Sequence, residues 1–282
     1  LEGGGKIEGK MGIGHTRWAT HGGPSDINSH PHTSRSGKYV IVHNGIIENY
    51  LQQKNRLIGH GYEFVSDTDS EVIAHLMEYY EWKYGGDVLD TLAKTISRLE
   101  GSFALGILCS DHPDSFFAVR KESPLIVGLG EDGNYIASDV PAILKYTRNV
   151  YYLENSEIVV LTKDSVKVYN TDKEVVAKEV CHIDWDVSAA EKGGYEHFMF
   201  KEIMEQPRAL RDTISPRIRD GAIVLDTVKF TADQLRDIRK IVVLACGSAY
   251  HVGMVGKYII EKAARIPVEV VLASEFRYCG PI

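Results

Sequence analysis

The run Gly12-Ile13-Gly14-His15-Thr16-Arg17-Trp18-Ala19-Thr20-His21-Gly22-Gly23 concentrates glycine, hydroxyl, imidazole, guanidinium and indole groups in a short stretch. Such a run makes a poor helix and a mediocre strand, but it suits a ligand-binding loop at a strand end. Arg17 offers a planar fork that can grip a carboxylate through two parallel N–H bonds. A structural loop whose Arg caps a helix carboxyl end fits the same composition. Asn44-Gly45 follows a β-branched run and could bring a side-chain amide and a backbone N–H together as an oxyanion hole for acyl transfer. Taken alone, the pair reads first as a two-residue turn. Asp69 stands at an expected helix start, where the helix dipole by itself favours a carboxylate. Residues 245–249, Ala-Cys-Gly-Ser-Ala, join a strand to a helix, a place where backbone N–H groups hold phosphate. A plain turn with Ser248 as N-cap is the alternative there. The glycine pattern is not GxGxxG, so a dinucleotide is poorly supported. His30, His32, His43, His60 and His75 show no metal-ligand spacing, and no metal is expected.

The elements that must position these groups follow from periodicity. Lys38-Tyr39-Val40-Ile41-Val42-His43 is short and β-branched and reads as a buried strand closed by Asn44-Gly45. Ile46, Ile47, Tyr50, Leu51, Leu57 and Ile58 recur at helical spacing until Gly59 and Gly61. A second helix opens at Thr68-Asp69-Ser70-Glu71, which matches the Ser/Thr-x-x-Glu capping box, and runs to Gly85-Gly86. A third carries Val88, Leu89, Leu92, Ile96 and Leu99. Short strands separated by turn signals then follow, at 103–109, 115–120, 124–129, 134–138, 150–153, 156–162, 165–170 and 174–182. Helices beside hairpin-linked strands predict an α+β domain of packed sheets covered by helices. Trp185 to Gly194 is polar and Gly-ended, as a linker is. Beyond it lie a helical segment from 195 to about 214, an apolar strand at 240–245, a helix near 248–264 and a strand at 268–272, a βαβ unit of an α/β domain.

Composition narrows the function classes. The chain has 282 residues, 32 basic against 39 acidic, a net charge of −7 and 44% hydrophobic residues. That length suggests two domains, each able to bury a core. The acidic balance, with no block of like charge, argues against nucleic acid or an anionic membrane surface as partner. The four cysteines, Cys109, Cys181, Cys246 and Cys279, form no CxxC pair and read as reduced cytosolic thiols. No apolar run approaches the ~18 residues of a membrane span, and no signal peptide opens the chain. Small-molecule chemistry in the cytoplasm is the expectation.

Six segments carry a resemblance. Gly14-His15-Thr16-Arg17-Trp18-Ala19-Thr20-His21-Gly22, His43-Asn44-Gly45-Ile46-Ile47-Glu48-Asn49 and Ser66-Asp67-Thr68-Asp69-Ser70-Glu71-Val72-Ile73 resemble successive motifs of the class II glutamine amidotransferase domain. Phe198 to Pro207, Ala245-Cys246-Gly247-Ser248 and Ala273-Ser274-Glu275-Phe276 resemble members of that family with a sugar-isomerase (SIS) domain behind it. The resemblance implies a four-layer α/β/β/α N-terminal-nucleophile (Ntn) hydrolase-like domain over 1–186, a linker over 187–194, and the start of a SIS domain over 195–282. It implies that Arg17 holds the α-carboxylate of glutamine, Asp69 its ammonium group, and Asn44 with Gly45 the oxyanion. Thr20 and His21 should line the same pocket, Trp18 should act as a gate to an ammonia channel, and Cys246, Gly247 and Ser248 should meet a sugar phosphate.

The implied reaction hydrolyses glutamine and passes ammonia to fructose 6-phosphate, giving glucosamine 6-phosphate without a cofactor, in a homodimer formed through the SIS domain. The family's nucleophile is an N-terminal Cys whose α-amino group is its base. Leu1 stands first here and Cys109 and Cys181 fall in expected strands, so both ends are expected to be truncated and the chain as it stands to be inactive. Two alternatives stay open. One is a glutaminase domain joined to another acceptor, as in amidophosphoribosyltransferase, which the absence of an acidic pyrophosphate-binding run disfavours. The other is a sugar-phosphate-sensing SIS regulator, which would need a basic DNA-binding module.

Overall fold

The computed structural model describes residues 9–184, 192–225 and 228–281. Contacts divide the chain into a first unit ending at Glu196 and a second beginning at His197. Residues 185–191, most of the expected linker, lie outside the described residues.

In the first unit, β1 (His32–Thr33), β2 (Tyr39–Ile47), β3 (Gly101–Cys109), β4 (Phe116–Lys121), β8 (Ile158–Leu161), β9 (Val166–Tyr169) and β10 (Val175–Val176) form a seven-stranded antiparallel sheet in that order. A four-stranded sheet holds β5 (Ile126–Leu129), β6 (Asn134–Ala137), β7 (Asn149–Tyr152) and β11 (Cys181–His182), in the order β11-β7-β5-β6. The period-two alternation of the strands sorts their side chains into two cores. Tyr39, Ile41, Ile47, Phe103, Leu105, Ile107, Phe117 and Val119 pack under α1 (Tyr50–Ile58), α2 (Glu71–Tyr84) and α3 (Val88–Ile96), where Leu57, Ile73, Leu76, Met77 and Leu92 are fully buried. Ala104, Phe116, Ala118, Val159 and Leu161 face the other way and meet Leu125 and Val127 between the sheets. Ile126 and Val150 point outward to a third cluster with Val140, Ile143 and Leu144, beside the short 3-10 helix Val140–Ala142. The unit is thus the four-layer α/β/β/α Ntn-type arrangement, its last layer a single short helical turn.

Several local expectations change. Asn44-Gly45 is not a turn: both residues lie inside β2, opposite Ala104 and Phe103 of β3. The strand therefore runs to Ile47, and α1 begins at Tyr50 rather than Ile46. Pairing along all nine residues of β3 overrides the turn preference of the dipeptide. The expected 174–182 strand is split between the two sheets as β10 and β11. The capping box also fails to close. Ser70 is the N-cap of α2, and Thr68 Oγ1 accepts from Glu71 N at 3.4 Å, but the Glu71 carboxylate turns away to Val65 and Ser66.

The second unit holds α4 (Phe198–Ile214), a hairpin of β12 (Ile218–Arg219) and β13 (Ala222–Ile223), α5 (Ala232–Arg236), β14 (Ile241–Ala245), α6 (Gly247–Ala264), β15 (Val268–Leu272) and α7 (Ala273–Cys279). β14 and β15 pair in parallel, with α6 as the crossover between them, as the sequence led one to expect. The N-cap of α6 is Cys246, with no side-chain cap, so Ser248 is not the cap. Among the described residues no helix is long and apolar enough to cross a membrane, and no three His, Cys, Asp or Glu side chains are placed to hold a metal ion.

Candidate functional site

β1 covers β2 only at Val40 and Ile41, so on that side no described strand pairs with β2 from Val42 onward. A cavity of about 290 Å³ lies there, lined by Arg17, Trp18, Thr20, His21, Asn44, Gly45 and Asp69, among others. Residues of the first unit that the sequence singled out, drawn from three separate segments, therefore meet at one place. The loop holding Arg17 reaches the strand through His15, whose Nε2 lies 2.6 Å from Asn44 Oδ1. Arg17 has a positive φ of 44°, a conformation that costs a non-glycine residue about 1–3 kcal/mol. Its guanidinium donates to the carbonyls of His21, Gly22 and Gly23 at 2.7, 3.0 and 3.2 Å, which stiffens the loop from within. A guanidinium has five N–H donors, so these contacts do not exhaust it.

Asp69 is 3% exposed. Its Oδ2 accepts from the backbone N–H of Ile47 at 2.8 Å, while Oδ1 lies 3.8 Å from His21 Nδ1 and 3.5 Å from Ser70 Oγ. Trp18 is 92% exposed, which excludes a core role for its indole. Two further residues gain a role that the sequence did not assign them. Asn28, buried in a polar loop, donates to Gly23 O at 3.0 Å and accepts from Asp67 N at 2.9 Å, tying the Arg17 loop to the Asp69 turn. His43 bonds Ser70 Oγ through Nδ1 at 2.8 Å. Nothing in the residue pattern around Asn28 could have revealed that role, because Asp67 lies 39 residues further along the chain.

The electrostatics of the site are simple. Burial, aided by neighbouring His15 and His32, pushes His30 down to about 3, and burial pushes His43 down to about 4. Both rings are neutral near pH 7, so Arg17 and Asp69 supply the opposite charges of the cavity. Behind Asp69, burial alone would raise the Glu71 carboxyl. The His75 ring 3.4 Å away and bonds from the Ser66 hydroxyl and the N–H groups of Val65 and Ser66 outweigh that and bring it down to about 2. A carboxyl depressed on folding contributes stability above its unfolded value, and that contribution disappears as pH falls through the folded value. Glu71→Gln should therefore melt below the unmutated chain at pH 7, with the difference closing between about pH 5 and pH 2. Parallel melting-point curves across that window would show that Glu71 contributes no charge-dependent stability.

Comparison with known proteins adds two domain matches and a set of relatives. The glutamine amidotransferase domain pattern matches residues 15–145 and the SIS domain pattern residues 234–279. A glutamine–fructose-6-phosphate aminotransferase (isomerizing) of Caldanaerobacter subterraneus subsp. tengcongensis is 59% identical over 277 residues, and one of Clostridium acetobutylicum 58% over 277 residues. The chain is thus similar over nearly its whole length to isomerizing glutamine–fructose-6-phosphate aminotransferases. Each alignment covers 98% of the chain and 45% of the relative, so the chain spans somewhat less than half the length of these relatives. The amidotransferase match takes in every residue lining the cavity. In the second unit, Cys246, Gly247 and Ser248 sit at the β14–α6 junction inside the SIS match, Gly247 with a φ of 58°. Cys109 is buried in β3 and Cys181 is exposed in β11, and neither lines the cavity.

Proposed function

We propose that the first unit binds glutamine and that the protein carrying it transfers the amide nitrogen to fructose 6-phosphate, forming glucosamine 6-phosphate. One observation carries the reading: a cation, Arg17, and a buried carboxylate, Asp69, share one cavity with the Asn44 amide and Gly45. Free glutamine is a zwitterion with an amide at its far end. Arg17 would take its α-carboxylate and Asp69 its ammonium group, and Thr20 and His21 would line the space between. The amide carbonyl would then face Asn44 and Gly45, whose N–H groups suit an oxyanion that develops during acyl transfer. Cys246, Gly247 and Ser248 would hold the sugar phosphate at the uncapped N-terminus of the 18-residue helix α6. A second copy would pair through the SIS portion.

Trp18 would act as a plate over the cavity, and its exposure supports this. In the full-length protein that carries these residues, glutamate and glucosamine 6-phosphate are measured from one reaction. Both should appear in the unmutated protein, and the absence of glutamate would overturn the reading. Trp18→Ala should keep most glutamate release while amino-sugar formation falls several-fold, and the melting point should stay within ~2 °C because little indole surface is buried. Equal losses of both products would remove the gating role.

A further inference from the structure

An asparagine can serve an oxyanion only if its NH2 end faces the ligand. The two ends of the amide have nearly the same shape, so packing alone does not choose between them. At Asn44 a chain of hydrogen bonds makes the choice. The backbone N–H of Arg17 donates to His15 Nδ1 at 2.8 Å, so that nitrogen carries no proton in the neutral ring. The proton is then on Nε2, which lies 2.6 Å from Asn44 Oδ1 and can only donate to it. With Oδ1 occupied, Asn44 presents Nδ2 to the cavity that both residues line. His30, which burial keeps neutral, lies against His15 at 4.2 Å between ring centroids and helps fix the plane of the imidazole.

We infer that His15 is a positioning residue, which sets the amide of Asn44 with its donor end toward the reacting carbonyl. The inference rests on the glutaminase reading given above. Without His15 the amide can turn over and offer Oδ1, an acceptor, to a developing negative charge. The same backbone N–H that sets the tautomer belongs to Arg17, so the carboxylate-binding loop and the oxyanion donor are coupled through one imidazole.

Two measurements test this. In the unmutated 282-residue chain, long-range 1H–15N spectra of the histidine rings should show His15 bare at Nδ1 and protonated at Nε2; a proton on Nδ1 overturns the inference whatever the activity. In the full-length protein, His15→Ala should lower kcat for glutamate release about 10–100-fold and change KM for glutamine less than about threefold, because the oxyanion forms only in the transition state. Asn44→Ala should cost about 10²–10³-fold, and adding His15→Ala to it should cost nothing more. Multiplying losses, or a rise in KM with kcat unchanged, would sink the role of His15. An unmutated protein that releases no glutamate would instead sink the glutaminase reading, and the catalytic role of His15 with it.

Discussion

Asp69→Asn should lower kcat/KM for glutamine about 10²–10³-fold in the full-length protein. The substitution is isosteric, and the new Oδ1 can still accept the Ile47 N–H that Asp69 now binds at 2.8 Å. What disappears is a negative charge on a carboxylate that is 3% exposed and that, on the proposed reading, meets the substrate ammonium. Removing one partner of a buried charge pair costs about 3–5 kcal/mol, and every 1.4 kcal/mol is about tenfold. His21 remains at the site but supplies no anion. Amino-sugar formation from free ammonia should lose far less, since no glutamine ammonium is then bound. Equal losses with both nitrogen donors, together with a lower melting point, would make Asp69 a purely structural carboxylate that holds the β2 backbone.

The largest stability effect is expected at Gly45. Its φ is 122°, and a Cβ built there would lie 2.1 Å from the carbonyl oxygen of Ser102 and 2.8 Å from Ser123 Oγ. The first of these is backbone in the adjacent strand, so relief requires β2 and β3 to part where the site is built. Gly45→Ala should cost about 4 kcal/mol or more, beyond the range of ordinary substitutions. Gly37 separates the two causes: its φ is 76°, but nothing lies within 4 Å of its would-be Cβ. Gly37→Ala should cost only about 1 kcal/mol, the backbone conformation alone. Denaturant unfolding of the two variants of the 282-residue chain decides the matter. Equal losses would mean that strand contact at Gly45 is not what requires glycine.

Much of this was legible in the residues. The periodicity of 71–84 and 88–96 gave helices, and the short apolar runs between turn signals gave β3, β4 and β8, because side-chain spacing along an element depends only on its own geometry. Arg17, Asn44, Gly45 and Asp69 were singled out by residue type and by motif resemblance, and all four line one cavity. The βαβ unit of the second half was legible for the same reason, as strand, helix and strand each have their own period.

Other features depended on partners that residue spacing does not specify. Asn44-Gly45 has the composition of a turn, and only nine residues of pairing with β3 make it the middle of a strand. Glu71 satisfies the spacing of a capping box, yet its carboxylate is drawn to the Val65 and Ser66 backbone. Arg17 was open between ligand fork and structural cap. In the fold it holds its own loop, and the cavity gives its remaining donors somewhere to act. The sequence by itself determined which elements form and which side chains could do chemistry, since propensity, periodicity and residue type are local properties. Tertiary structure alone decided that these side chains share one cavity, that Trp18 stands in solvent, and that Asn28 and His15 tie separate segments together, because hydrogen bonds between distant segments exist only once the sheet register has brought them within reach.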